Sequence, residues 1–240
     1  MLRFWRLLLI FFTLFVATLG LSLEAWAKSP TIDVLKVKGT VNPVLADYIH
    51  RGIAHAEDTG AIACIIQMDT PGGLDSAMRD IVQDMLASTV PVIVYVSPSG
   101  ARAASAGAFI TLAAHVAAMA PDTAIGAAHP VNIDTSGQPS AVDEKVVNDA
   151  AAYIRTLAQT HGRNADWAES AVRDSVSATE QEAKDLNVIE IISPTLDDLV
   201  AQFRITTTCA SQNLEDAADL TTGVIRYFDD GSWLNHKDRY

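Results

Sequence analysis

Ser105 is the best candidate for a nucleophile in this sequence because of the residues on either side of it. It follows the small-residue stretch Gly100–Ala104, which comes after the apolar run Val90–Val96, and it precedes a second small-residue segment, Ala106–Ala114. A strand, a tight turn and a helix in this order present a serine hydroxyl beside the unpaired N–H groups and the positive dipole end of a helix. The pattern predicts attack of the Ser105 hydroxyl on an acyl carbon, the chemistry of a hydrolase.

A serine hydroxyl is a weak nucleophile at neutral pH and needs a neighbouring base. The chain has six lysines, and Lys145 is the only one between Ser105 and Thr179. An uncharged lysine can serve as the base where an apolar pocket removes its solvation, and Val146 and Val147 could line such a pocket. A solvated lysine at the start of a helix is the simpler explanation of the same residue, so the sequence leaves its role open.

The loop Asp69–Leu74 is a second candidate part of the site. Its two glycines, Gly72 and Gly73, permit a backbone that approaches a ligand closely, with N–H groups unpaired at the start of a helix. The loop follows the strand that precedes the serine strand. One of its N–H groups and that of Ala106 are therefore candidates to bind a tetrahedral oxyanion. An ordinary helix N-terminus with glycines in the turn is the alternative.

The elements around these residues alternate between strand and helix patterns. Strands are predicted at 31–37, 61–68, 90–96 and 188–192, and helices at 43–57, 74–87, 105–114, 143–159, 165–173, 179–186 and 195–203. The continuous apolar run at 61–68 is typical of a strand that is buried on both faces. This alternation predicts an α/β domain with a parallel sheet and right-handed crossovers. Ser136–Ser140 is predicted to be a surface loop.

The two ends of the chain differ from its middle. Residues 1–27 have the composition of an export signal, because two arginines precede a long apolar run and Ala25–Ala27 has the small residues of a cleavage site. We expect this signal to be removed and the product to be exported, to the periplasm or another extracytoplasmic space. A retained, membrane-associating segment is the alternative. The polar stretch 206–240 predicts a poorly ordered tail, which leaves 28–205 as the folded domain.

Composition excludes several classes of function. A formal net charge of -12 argues against binding to nucleic acid and against electrostatic docking on anionic lipid. The histidines are scattered and no Cys-x-x-Cys occurs, so neither a metal site nor a cofactor is expected. Cys64 lies in a predicted buried strand and is expected to be a free thiol, whereas Cys209 lies in the polar tail.

Several motifs in a fixed order carry a family resemblance. They are Asp69–Gly73, Gly100–Gly107, Met119–Pro121, Ile125–Pro130 and the segment Lys145–Asn164. Together these motifs, from about residue 31 to about residue 200, closely resemble the NfeD family. Its members are membrane-associated serine proteases with a ClpP-like domain and are partners of stomatin-type proteins.

The resemblance implies a fold, an activity and a set of site residues. The fold is the ClpP/crotonase-like spiral α/β fold, with mostly parallel β-sheets flanked by helices, and the activity is that of a serine endopeptidase. By motif position the nucleophile is Ser105, the general base is Lys145, and the oxyanion donors are the backbones of Gly73 and Ala106. The implied substrates are apolar peptide segments of stomatin-like membrane proteins. The implied assembly is a homodimer without a coenzyme.

Alternatives remain open beside this assignment. His129 follows Ser105 by 24 residues, close to the position of the catalytic histidine in ClpP, so it is either an alternative base or a structural residue of a His-Pro turn. Arg102 is either a solvated charge at the mouth of the site or an anchor for a substrate carbonyl. The protein as a whole could instead be a non-catalytic exported scaffold that binds apolar membrane-protein tails. Acyl-thioester chemistry, as in crotonase-type enzymes, is less favoured because it needs no serine at a helix start.

Overall fold

The computed structural model describes residues 30–133, 139–140, 142–202, 224–229 and 232–235 of the 240-residue chain. The predicted export signal at 1–27 therefore lies outside the described residues, as does Cys209. Within the described ranges, no helix combines the length and the apolar character that a bilayer crossing requires.

Strands and helices alternate along the described chain, as the sequence predicts. The helices are α1 (Pro43–Thr59), α2 (Asp75–Ala87), α3 (Ala106–Ala113), α4 (Glu144–Thr160), α5 (Ala165–Arg173) and α6 (Glu180–Asp185), and residues 196–202 are also helical. The strands are β1 (Thr31–Lys38), β2 (Ala63–Asp69), β3 (Val92–Val96), β4 (Arg102–Ala104), β5 (Val116–Met119), β6 (Ala124–Gly126), β7 (Asn132–Ile133), β8 (Pro139–Ser140), β9 (Ser177–Thr179), β10 (Ile191–Ile192), β11 (Val224–Asp229) and β12 (Ser232–Asn235).

The main sheet has seven strands in the order β10-β5-β3-β2-β1-β11-β12. All neighbours in it are parallel except β11 and β12. Lys38 pairs with Asp69, and Met68 pairs with Val96, so β1, β2 and β3 end at the same edge. The loops after these strands are brought together there, where α/β sheets commonly place their ligands. The prediction of an α/β fold with a mostly parallel sheet is confirmed.

Strands β1, β2, β3 and β5 are buried on both faces of the main sheet, and their side chains alternate between two apolar cores. In β2, Cys64, Ile66 and Met68 pack on the face covered by α1 and α2. Ala63 and Ile65 face the opposite core, which the helical segment 196–202 helps to cover. This confirms the prediction of a strand buried on both sides. Cys64 is a buried free thiol, as predicted, and burial followed by the charge of nearby Asp33 raises its pKa.

A second, three-stranded sheet differs from the sequence-based expectation of a simple turn before Ser105. Arg102–Ala104 forms β4, which pairs with β6, and β6 pairs in turn with β9. Alanine-rich segments have little intrinsic strand preference, so only tertiary pairing reveals this strand. The N–H of Thr70 donates to the carbonyl of Arg102 at 2.8 Å and fixes β4 beside the end of β2. The predicted loop Ser136–Ser140 also ends in a strand, β8, which pairs with β7.

Ten described residues fall within the segment that was expected to be a poorly ordered tail. They form β11, which pairs in parallel with β1, and β12, which pairs antiparallel with β11. A poorly ordered tail was expected from the overall polarity of 206–240, whereas these ten residues are in paired strands. Their β-branched and aromatic types, as in Val-Ile-Arg-Tyr-Phe-Asp, favour a strand. The remainder of the predicted tail lies outside the described residues.

Candidate active site

A pocket of about 480 Å³ lies beyond the ends of β2 and β4, where the starts of α2, α3 and α4 meet. Its lining includes Gly73, Ser105, Ala106 and Lys145. These are the four residues that the sequence analysis assigned to a dyad and its two oxyanion donors. The fold thus brings together, in one pocket, residues from three separate segments of the chain.

Ser105 occupies a strained turn at the start of α3. It is the N-cap of that helix, with φ 53° and ψ -117°, and its side chain does not cap the helix. Its N–H donates to the carbonyl of Gly126 at 3.0 Å, and its carbonyl accepts from the N–H of Ala108 at 2.9 Å. A positive φ in a residue other than glycine is costly and is typical of nucleophile turns. The hydroxyl therefore lies at the pocket and is not engaged in a capping hydrogen bond to α3.

Gly72 makes the close approach to Ser105 possible. Its φ is 111°, and a Cβ atom built on it would lie 2.7 Å from the Cβ and 3.2 Å from the Oγ of Ser105. Any larger residue would collide with the serine side chain, and its backbone would also be strained. Gly72 therefore determines where the serine can lie, a role that sequence analysis did not separate from that of its neighbour.

Val41, in the loop after β1, forms a backbone bridge to the glycine loop that fixes the orientation of the Gly73 peptide. The N–H of Val41 donates to the carbonyl of Gly72 at 2.9 Å, and the N–H of Leu74 donates to the carbonyl of Val41 at 2.9 Å. In such a parallel bridge the middle residue directs its own N–H to the side away from the partner strand. A Cβ on Gly73 would lie 2.0 Å from the carbonyl oxygen of Val41, so only glycine fits.

Ala106 supplies a second backbone donor at the pocket. As the first residue of α3, it has an N–H without an acceptor within the helix. Among the described residues, neither the N–H of Gly73 nor that of Ala106 donates to a backbone carbonyl. Two unpaired donors in one pocket are the arrangement that stabilises a developing oxyanion.

Lys145 is the second residue of α4 and lines the pocket. Its N–H donates to Oδ1 of the N-cap residue Asp143 at 2.9 Å. Within the described chain its ammonium group forms no ion pair. The side chain is exposed. Of its two expected apolar neighbours, Val146 lines the pocket, whereas Val147 packs against the main core.

A charged cluster that sequence analysis missed occupies one wall of the pocket. Nε of Arg79 donates to Asp75 at 2.9 Å, and its Nη2 bonds to Asp149 on α4. The guanidinium also lies 4.4 Å from the centre of the Tyr153 ring. Burial opposes the charge on Arg79, but the hydrogen bonds and charges of the two aspartates outweigh it and raise its pKa. The spacing of Asp75 and Arg79 signals only a surface pair, and nothing in the sequence predicts the contact with Asp149.

The two remaining candidates from the sequence do not line this pocket. Nδ1 of His129 donates to the carbonyl of Val172 at 2.8 Å, which turns the ring toward α5. Arg102 is exposed on β4, and its N–H donates to Asp69 at 3.2 Å. The pocket lining includes neither residue. No group of three potential metal ligands occurs among the described residues.

The rest of the pocket wall is mainly apolar. Met78, Phe109 and Ala128 form buried parts of it. Leu74 and Val131 line it with 54% and 70% of their surface exposed, respectively. Exposed apolar side chains around a concave site favour binding of an apolar ligand.

Comparison with known proteins gives one family match and several relatives. The family model described as "NfeD1b, N-terminal domain" matches residues 31–196. The chain is 42% identical over 170 residues to the membrane-bound protease PH1510 of Pyrococcus horikoshii, and this match covers 70% of the chain but 38% of the relative. It is 33% identical over 165 residues to the membrane protein NfeD1b of Bacillus subtilis, covering 69% of the chain and 36% of that protein. The chain thus spans well under half the length of these relatives.

Solved structures give the same relationship. A serine-to-alanine mutant of the 1510-N membrane-bound stomatin-specific protease superposes with a TM-score of 0.75 at 35% identity, covering 84% of this chain and 99% of the other. A lysine-to-alanine mutant of the same protease, in complex with a substrate peptide, gives 0.74 at 35% identity, covering 84% and 93%. ClpP1 from Listeria monocytogenes gives 0.56 at 21% identity, covering 69% and 94%, which shows a ClpP-like fold.

Proposed function

Because the chain belongs to the NfeD1b N-terminal domain family, we propose that it is a serine endopeptidase with a Ser105–Lys145 dyad. The observation that carries the proposal is the convergence of a strained serine, a lysine and two backbone donors on one pocket. The solved relatives add support, because a serine and a lysine were the residues replaced in the stomatin-specific protease.

The proposed reaction is acyl transfer in two halves. Uncharged Lys145 takes the proton of Ser105, whose Oγ bonds to the peptide carbonyl carbon, while the N–H groups of Gly73 and Ala106 bind the oxyanion. The intermediate collapses, the C–N bond breaks, and the Lys145 ammonium donates its proton to the leaving amine. Water then attacks the acyl-enzyme with Lys145 again as base, which releases the acid product and restores Ser105.

Lys145 is proposed as the base in preference to His129. Lys145 lines the same pocket as Ser105, whereas the ring of His129 bonds to Val172 and lies outside the pocket lining. A lysine must be uncharged to accept a proton.

The proposed substrate is an apolar peptide segment of a stomatin-like membrane protein. The apolar pocket wall supports the first part, and the naming of the solved relatives as stomatin-specific supports the second. We also propose that the product is exported, as the composition of residues 1–27 predicts. The membrane-bound character of the relatives supports the alternative in which this segment is retained and associates the product with a membrane. The family resemblance further suggests a homodimer, in which the exposed Lys145 loses solvent.

Single substitutions test the dyad. Ser105→Ala and Lys145→Ala should each lower kcat/KM for an apolar peptide by at least about 1000-fold, because each removes one half of the proton transfer. The matched controls are Ser99→Ala and Lys38→Ala, which change exposed residues outside this pocket and should keep full activity. Circular dichroism would verify that all four variants fold.

The outcomes separate the alternatives. Undiminished turnover by Ser105→Ala would contradict the proposal. An active Lys145→Ala variant together with an inactive His129→Ala variant would transfer the role of base to His129. Binding of the peptide by the wild type, with no cleavage and no acyl-enzyme seen by mass spectrometry, would identify a non-catalytic scaffold instead.

A further inference from the structure

Lys145 and Asp149 are one helical turn apart on α4, and both line the pocket. Oppositely charged residues at this spacing ordinarily attract each other. In the structure, however, Lys145 has no ion pair among the described residues, and the carboxylate of Asp149 is bonded to Arg79 of α2. The acid one helical turn along α4 from the proposed base is thus occupied by a residue from another helix.

Arg79 is held firmly in the position that this contact requires. Its Nε bonds to Asp75 at 2.9 Å, and its side chain is 30% exposed. Its guanidinium stacks over the ring of Tyr153 at 4.4 Å, and that ring stacks on Phe109 of α3 with centres 6.0 Å apart. Helices α2, α3 and α4 are therefore joined at this point, and the cation has little freedom to release Asp149.

The charges that face Lys145 can be enumerated from each element that lines the pocket. Asp75 and Arg79 come from α2, and Asp149 comes from α4 itself. The exposed Glu144 and the N-cap Asp143 adjoin Lys145 at the start of α4. The lining residues from the start of α3 and from residues 128–131 carry no charge. Arg79 is therefore the one described cation, besides Lys145, in the pocket wall.

From this arrangement we propose that Arg79 is a positioning residue that keeps Asp149 away from the amine of Lys145. This inference rests on the proposed peptidase function. While Arg79 holds the carboxylate, the lysine amine has no counter-ion there to stabilise its protonated form. Without Arg79, rotation of the Asp149 side chain would let the carboxylate pair with Lys145, which would then accept the proton of Ser105 less readily.

Three variants test the inference through the pH dependence of kcat/KM for an apolar peptide. Arg79→Gln should move the acid limb to higher pH by about half a unit, because the freed carboxylate favours the charged lysine. Asp149→Asn should leave the acid limb at or below its wild-type position. The double variant Arg79→Gln/Asp149→Asn should return it to about the Asp149→Asn position, since no carboxylate is left to pair with the lysine.

A merely structural role for Arg79 predicts a different pattern. If the bridge between α2 and α4 only held Lys145 in place, Asp149→Asn would reproduce the effect of Arg79→Gln, and the double variant would not be rescued. Either result overturns the inference. Arg79→Lys provides a second test should Arg79→Gln fail to fold. It keeps a cation that can hold Asp149, so its acid limb should stay close to the wild-type position, and a shift of about half a unit to higher pH would overturn the inference.

A measurement that needs no activity separates this inference from the proposed function. Competitive acetylation across a pH series, read by mass spectrometry in a Ser105→Ala background, reports the protonation of the Lys145 amine directly. Arg79→Gln should require a higher pH than its parent for half-maximal labelling of Lys145, with the label on Lys38 unchanged as the internal control. No shift would overturn the inference even if the enzyme is a Ser105-dependent peptidase. A shift without any cleavage by the wild type would overturn the peptidase proposal alone.

Discussion

At the scale of single residues, the site depends on two backbone conformations that are costly by themselves. Ser105 has a positive φ, and Gly72 has a φ of 111° that brings its backbone against the serine. Such strain persists only where surrounding contacts determine it. Here those contacts are the hydrogen bond from the N–H of Ser105 to Gly126 and the backbone hydrogen bonds between Val41 and the glycine loop. Two hydrogen-bonded loops therefore hold the hydroxyl in a conformation that an isolated peptide would avoid.

Gly72→Ala tests this dependence. The added methyl would lie 2.7 Å from the Cβ of Ser105, so we expect displacement of the serine and a fall in kcat/KM of roughly 100-fold. Gly60→Ala is the matched control, because Gly60 also has a positive φ, of 66°, but has open space where the Cβ would be. That variant should lose about 1 kcal/mol of stability and keep its activity. Equal activity losses in both variants would mean that strain alone, and not contact with Ser105, matters.

At the scale of elements, α3 connects the proposed catalytic chemistry to a histidine pair at its far end. Its N-terminal end carries Ser105, and its C-terminal end is followed by His115, whose ring lies 5.8 Å from that of His161 at the end of α4. Nδ1 of His115 accepts the N–H of Val92 at 3.1 Å, and Nε2 of His161 is buried without a partner among the described residues. Both rings are therefore suited to the neutral form.

This pair predicts a stability that depends on pH. Burial, followed by the charge of Arg163, lowers the pKa of His161, and burial is also the main cause that lowers the pKa of His115, with the charge of Arg163 adding to it. The unfolded chain then binds more protons below its ordinary histidine pKa of about 6.5, so the free energy of unfolding should fall as the pH falls from about 7 to about 5. Urea denaturation across this pH range measures the loss.

Substitution of the pair provides the control for that measurement. The double variant His115→Gln/His161→Gln should show a smaller loss over the same pH range, because neither side chain can be protonated. His50→Gln, which changes an exposed histidine paired with Asp84, should keep the loss. A double variant as pH-sensitive as the wild type would rule out the pair as the cause.

At the scale of the whole molecule, one buried ion pair ties the late part of the chain to its centre. The side chain of Arg163 is 1% exposed, and its Nε and Nη2 each lie 2.7 Å from an oxygen of Glu190. Its Nη1 donates to the carbonyl of Leu112 in α3 at 2.8 Å. Glu190 also accepts the N–H of Ala117 at 2.6 Å. The pair thereby joins α3, the loop after α4 and the edge of the main sheet.

Glu190→Gln should destabilise the protein because it leaves the charge of Arg163 buried and unpaired. We expect a loss of about 3 kcal/mol in the free energy of unfolding, measured by urea denaturation, since one of the partners is partly exposed. Arg51→Ala, which breaks an exposed pair with Asp47 on a single helix, should have little effect. Similar losses in the two variants would contradict the assigned importance of the buried pair.

The sequence by itself determined the elements with strong periodicity and the residues with unusual local patterns. The apolar strands β2 and β3 and the helices α1, α2 and α4 follow from the spacing of their apolar residues. Ser105 and the glycines of the loop after β2 stand out because few segments combine small residues with a strand end. The ordered motifs identified the family, which the comparison with known proteins confirmed.

Only the tertiary structure decided which of these residues meet. Strand β4 is alanine-rich and has no local signal, so its position depends on the bonds that Thr70 and β6 provide. The contact of Arg79 with Asp149 joins residues 70 positions apart, and the bond from His129 to Val172 turns that histidine toward α5. Contacts between distant segments leave no periodic pattern in a single sequence, because each of the two residues has an ordinary local pattern. Only the folded chain brings such residues together and so determines what each of them can bind.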